Sequence, residues 1–82
     1  MSVNLILYST SHCHLCEQAE TLLRDISALE AIVWSNVEIA DDSRLLQRYE
    51  VKIPVLKRLD TESEIAWPFT TQDILSLINI NG

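Results

Sequence analysis

Positive charge is what this 82-residue chain has least of: six lysines and arginines stand against twelve aspartates and glutamates, a formal net charge of −6. Such a surface repels phosphate backbones and anionic lipid, so neither nucleic acid nor a membrane surface is an expected partner. Long apolar runs are missing as well. No stretch reaches the roughly eighteen uninterrupted apolar residues of a membrane-spanning helix. Met1-Ser2-Val3-Asn4 has neither the basic start nor the apolar run of a signal peptide, so a cytoplasmic location is expected. Internal repeats, low-complexity tracts and linkers are absent, and residues 1–82 read as one domain acting as a monomer. The 48% hydrophobic content supplies a core with little to spare at this length. Cysteine is scarce too, with only Cys13 and Cys16. A reducing compartment disfavours a permanent structural disulfide, so a C-x-x-C pair there is catalytic or metal-binding.

What is present has a clear order. Val3 to Tyr8 is a short apolar run of strand formers ended by Ser9-Thr10-Ser11, which predicts a central strand buried on both faces. From His14 to about Leu29, the residues Leu15, Ala19, Leu22, Leu23, Ile26 and Leu29 recur at three- and four-residue steps, the pattern of an amphipathic helix. Ile32 to Ile39 predicts a second strand, parallel to the first across the helical crossover. Asp41, Asp42 and Ser43 then supply caps for a short helix carrying Leu45, Leu46 and Tyr49. After Pro54, Val55 to Leu59 and Glu64 to Trp67 flank a polar turn and predict a hairpin. Thr70 or Thr71 caps a last helix with Asp73 in its first turn, and Asn81 and Gly82 are expected to fray. The order is βαβαββα: an α/β fold with a four-stranded mixed sheet flanked by three helices.

Cys13-His14-Leu15-Cys16 falls where the first strand meets the first helix, so the unpaired amides of the helix start point toward Cys13 and favour its thiolate. Cys16, three residues on, lies one turn away on nearly the same face. This arrangement suits thiol–disulfide exchange in which Cys13 attacks a substrate disulfide and Cys16 resolves the mixed disulfide, leaving the protein oxidised and in need of an external reductant. The plainer alternative is two small apolar residues packing at helical spacing. His12 and His14 flank Cys13; a protonated imidazole there would stabilise the thiolate, and solvated loop histidines are the other reading. All four are metal-ligand types, but a structural zinc site needs four converging ligands, neighbouring residues do not easily face one ion, and the chain has no second Cys or His cluster. No metal is expected in a single chain.

With Tyr8-Ser9-Thr10 leading into Cys13-His14-Leu15-Cys16, and Lys52-Ile53-Pro54-Val55-Leu56 downstream, the sequence resembles the glutaredoxin branch of the thioredoxin superfamily over nearly its whole length. It is most similar to the small glutaredoxin-like proteins with a Cys-His-Leu-Cys site. The resemblance implies a thioredoxin-like fold and a thiol–disulfide oxidoreductase acting on a disulfide-containing protein or a small thiol. It also implies a cis Pro54 facing the cysteines, with Ile53 offering main-chain groups to a substrate that pairs as an added strand; an ordinary strand-entry proline is the alternative.

Typical members carry Cys-Pro-Tyr-Cys, a preceding lysine and a Gly-Gly turn followed by Asp. Here Thr10, Ser11 and His12 replace the basic lead-in, and Trp67-Pro68-Phe69-Thr70-Thr71 stands where the glycines would expose amides to a glutathione carboxylate. No tightly bound cofactor is expected, and glutathione enters only as a candidate reductant. Thr71 and Asp73 can meet an amino end, and Arg48 and Lys52 a carboxylate, unless they form a solvated face. Trp67 and Phe69 are expected in the core rather than at an apolar rim. A rival function, which some glutaredoxin relatives perform, is carriage of a [2Fe–2S] cluster between two chains, each lending Cys13.

Overall fold

Leu5 and Leu7 project to one side of the first strand and Ile6 and Tyr8 to the other, because side chains alternate along a strand. Both sides are covered, which makes β1 (Val3–Ser9) the centre of the molecule. The computed structural model describes residues 2–79; the expected fraying of Asn81 and Gly82 lies outside them. The remaining elements are α1 (His14–Ser27), β2 (Ile32–Glu38), a single 3-10 turn (Ile39–Asp41), α2 (Ser43–Tyr49), β3 (Val55–Arg58), β4 (Glu64–Ala66) and α3 (Thr71–Ile78). The strand order is β2-β1-β3-β4. β2 is parallel to β1, with Val3 opposite Ile32 and Ser9 opposite Glu38. β3 is antiparallel to β1 and to β4, so the mixed four-stranded sheet with three helices is as expected from the sequence.

The two sheet faces hold separate cores. Ala19, Leu23 and Ile26 of α1 and Ile74, Leu77 and Ile78 of α3 meet Leu5, Leu7 and Leu56 on one face, with Phe69 filling in. On the other face Tyr8, Ile39, Tyr49 and Val55 pack with Leu45 and Leu46 of α2, and the rings of Tyr8 and Tyr49 stack at 4.4 Å. Burying one such side chain fully is worth about 1.5–3 kcal/mol. Phe69 lies in the core as expected, and the half-buried Trp67 packs edge-on against it, 5.0 Å between centroids.

Five boundaries differ from expectation: β1 includes Ser9, β3 ends at Arg58 rather than Leu59, and three others shift as follows. α1 stops at Ser27, and Leu29 is 86% exposed rather than part of the apolar face. The amides of Leu29 and Glu30 both donate to the Ile26 carbonyl, closing a turn that returns the chain to β2. Ile39 leaves the strand for the 3-10 turn, where it is buried beneath α2. β4 ends at Ala66, and Trp67 lies beyond it. The last helix starts on a capping box: the Asp73 amide donates to Thr70 Oγ1 at 3.2 Å and the Thr70 amide to Asp73 Oδ2 at 2.9 Å. Its other end is held by Arg58, whose Nη1 donates to the carbonyls of Leu77 (3.0 Å) and Ile78 (2.9 Å) while its Nε and Nη2 grip Asp60 in a fork. Among the described residues no helix is long and apolar enough to cross a membrane.

Candidate redox site

The site forms where β1 runs out. His12 has φ 58°, a left-handed conformation uncommon for a residue with a side chain, and this turn delivers Cys13 to the start of α1 in an extended conformation (φ −105°, ψ 106°). Cys13 is the N-cap. Its Sγ accepts the Cys16 amide at 3.2 Å, and its carbonyl accepts the Glu17 amide at 3.1 Å. The helix start therefore presents its amide ends to this sulfur, the environment that stabilises negative charge on it. Cys13 and Cys16 are joined as a disulfide with Cα atoms 5.2 Å apart. Cys13 is partly exposed, whereas Cys16 is 4% exposed and belongs to the buried face of α1. Of the two, Cys13 is the one more open to solvent.

A cleft of about 350 Å³ opens over the pair, and residues 9–12, Glu17, Glu20, Asn36 and Glu38 complete its walls. Sequence reasoning did not find Glu17, Glu20, Asn36 or Glu38. The signal was the parallel register, which sets Asn36 opposite Leu7 and Glu38 opposite Ser9, so that the end of β2 must flank whatever follows β1. Glu38 braces the cysteine loop: Oε1 accepts the Ser11 amide and the Ser11 hydroxyl, both at 3.0 Å, and Oε2 accepts the Ala40 amide at 3.1 Å. The bond from Ala40, followed by those from Thr10 and Ser11, holds its carboxyl below the ordinary value of 4.5. Asn36 Nδ2 donates to Glu20 Oε1 at 2.6 Å.

The other sequence-predicted residues are spread over the fold. His12 and His14 border the same end of α1, both exposed, with His14 Nδ1 3.3 Å from Glu17 Oε2. Pro54 is buried immediately before β3, whose first residue, Val55, is opposite Tyr8 of β1. The Ile53–Pro54 bond is cis, as the resemblance implies, and Trp67–Pro68 is cis as well. Ile53 differs from expectation in one respect: its amide already donates to the Tyr49 carbonyl at 3.0 Å, so of its two main-chain groups only the carbonyl is left for a pairing substrate.

Thr71 and Asp73 are placed elsewhere. Thr71 lines a separate hollow with Asp25, Ile26, Leu29 and Glu30, at the far end of α1, about 18 Å along the axis from its start. The Asp73 carboxylate is engaged in the cap of α3. Arg48 lies over the Tyr49 ring, 5.5 Å from its centroid, and Lys52 is exposed with its amide donating to Tyr49. Among the described residues no three of His, Cys, Asp and Glu converge as a metal-ligand group.

The sequence pattern of the family described as Glutaredoxin-like domain (DUF836) matches residues 4–79. No curated protein matches the chain. Among solved structures, the X-ray structure of a structural-genomics target from X. campestris superposes with a TM-score of 0.80 at 32% identity, covering 92% of this chain and 95% of that one. The solution structure of the same target gives 0.77 at 32% identity, over 92% and 91%. A protein from Nitrosomonas europaea, 23% identical, gives 0.81 over 90% and 88%, a likeness of fold alone. The element order and these superpositions describe a thioredoxin-like fold.

Proposed function

The chain belongs to the glutaredoxin-like domain family, and from that premise we propose that it is a thiol–disulfide oxidoreductase working through Cys13 and Cys16. The observation that carries this reading is the asymmetry of the pair: two bonded sulfurs at one helix start, the leading one accessible and amide-capped, the trailing one buried. In the reduced protein the Cys13 thiolate attacks a substrate disulfide, expels one thiolate and forms a mixed disulfide. Cys16 then loses its proton, attacks Cys13 Sγ and releases the second substrate thiol, which leaves the Cys13–Cys16 disulfide. Two electrons pass from the dithiol to the substrate, and an external thiol reductant restores the pair, glutathione being one candidate. The Ile53 carbonyl, beside Pro54, is the main-chain acceptor for an extended substrate, with His12 and His14 at the rim. Protein disulfides and small disulfides are both substrates under this reading.

Reduction of hydroxyethyl disulfide by the reduced full chain tests it. The native protein is expected to consume the disulfide and Cys13→Ser to lose that activity, whereas full activity in Cys13→Ser would overturn the assignment. Anaerobic reconstitution of the reduced protein with iron and sulfide addresses the rival function: it is expected to give a colourless species, and a coloured dimer would replace the oxidoreductase reading with cluster carriage.

A further inference from the structure

The charge around the cysteines is of one sign. Glu17, Glu20 and Glu38 line the cleft with Cys13 and Cys16, and no lysine or arginine among the described residues does so. Glu17 and Glu20 stand on successive turns of α1, Glu20 four residues beyond Cys16, while Glu38 comes in from the end of β2. Their partners leave this charge in place. Asn36 donates to Glu20, and Ser11 and Ala40 donate to Glu38, all of them neutral donors. Among the described residues, the basic side chains that border this end of α1 are the imidazoles of His12 and His14, the latter beside Glu17. With a chain charge of −6 behind it, an arriving anion meets repulsion at long range and again at the cleft.

We infer that this acidic rim sets the substrate class: disulfides carrying positive charge beside the sulfur, as in lysine- or arginine-rich segments, are reduced in preference to anionic disulfides such as oxidised glutathione. The cysteines define the site and the carboxylates decide which disulfides approach it, so the inference rests on the dithiol reading above. At roughly 8 Å in water with a Debye length of ~10 Å, one carboxylate changes the local concentration of a unit charge by about 1.5-fold, three by about threefold, and a cation differs from an anion by about tenfold.

The test uses single-turnover oxidation of the reduced full chain, read as loss of protein thiols by mass spectrometry, with three disulfides. Hydroxyethyl disulfide is neutral, cystamine carries two ammonium groups, and dithiodipropionate carries two carboxylates. Each rate constant is divided by that of free dithiothreitol with the same disulfide, which removes the intrinsic leaving-group difference. Cystamine is expected to exceed dithiodipropionate by about tenfold at ~0.1 M salt, with the ratio falling toward one at ~1 M. The double substitution Glu17→Gln/Glu20→Gln lowers the ratio to about twofold, while Glu62→Gln, in the turn between β3 and β4, leaves it unchanged. Equal normalised rates for cystamine and dithiodipropionate, or a ratio indifferent to the double substitution, would overturn the charge selection while reduction of hydroxyethyl disulfide still upheld the dithiol chemistry. Failure of hydroxyethyl disulfide to oxidise the protein would instead remove the dithiol reading beneath it.

Discussion

Replacing Cys13 by serine and by alanine separates the two roles of its sulfur. As N-cap of α1, Cys13 accepts the Cys16 amide at 3.2 Å; as nucleophile, it carries the proposed reaction. Serine is among the preferred N-caps, because its hydroxyl accepts the same bond, and alanine offers no acceptor. Both substitutions remove the disulfide and leave Cys16 as the only thiol, so the loss of the cross-link cancels in the comparison. What remains is the cap, typically about 1 kcal/mol within a range of roughly 0.5–2. In a domain of this size 1 kcal/mol moves Tm by about 4–8 °C. The effect reaches the whole fold, since Cys16, Ala19, Leu23 and Ile26 are buried along α1 and fraying from its first turn exposes core. Thermal melts by circular dichroism under reducing conditions, run beside a hydroxyethyl disulfide assay, give both readouts. Both variants are expected to be inactive, with the serine variant melting several degrees above the alanine variant. Equal melting temperatures would refute the cap, and turnover by the serine variant would refute the nucleophile.

Other substitutions test the supports of the fold. Leu56 is fully buried between the sheet and its helices, so Leu56→Ala is expected to cost about 2–5 kcal/mol in denaturant melts, against less than about 0.5 kcal/mol for Leu29→Ala on the surface. Tyr49 donates its hydroxyl to Glu64 Oε2 at 2.8 Å, and burial, followed by that bond, raises its pKa from 10 to about 12. Because the folded value is the higher one, the contribution is complete below pH 10 and is lost as pH rises through 12. Tyr49→Phe, about 0.5–1.5 kcal/mol less stable at neutral pH, is expected to lose less stability on alkaline titration; parallel titration curves would contradict this. The Glu38 carboxyl is held below 4.5 by its amide and hydroxyl donors, so its contribution is present above that value and disappears as pH falls through the lowered one. Glu38→Gln is therefore expected to be the less stable protein at pH 7 and to approach the native chain near pH 3 in urea melts; a gap that widened in acid would be the wrong sign.

Local chemistry made much of this structure readable from the chain alone. The short apolar run from Val3 to Tyr8 identified the central strand, the spacing of Ala19, Leu23 and Ile26 identified α1, and Thr70 or Thr71 ahead of Asp73 identified the start of α3, where Thr70 is the cap. Cys13 and Cys16 were legible for the same reason, since their relation is one helical turn. The contacts that escaped join residues distant in sequence. Glu38 becomes part of the cleft only through its pairing with Ser9, and Arg58 ties β3 to the last carbonyls of α3 across nearly twenty residues. Leu29 fitted the periodicity of α1, but the return to a parallel β2 required the helix to end first. Thr71 and Asp73 matched a substrate site by position in the sequence, whereas packing set Thr71 against the distal turn of α1 and capping engaged Asp73.

Mass spectrometry of the Cys16→Ser variant bears most directly on the division of labour between the two sulfurs. Incubated in reduced form with hydroxyethyl disulfide, it is expected to accumulate one mercaptoethanol adduct per chain, located on Cys13 by peptide mapping, because attack proceeds while the second displacement is absent. An unmodified Cys13 under conditions that oxidise the native protein would contradict the account.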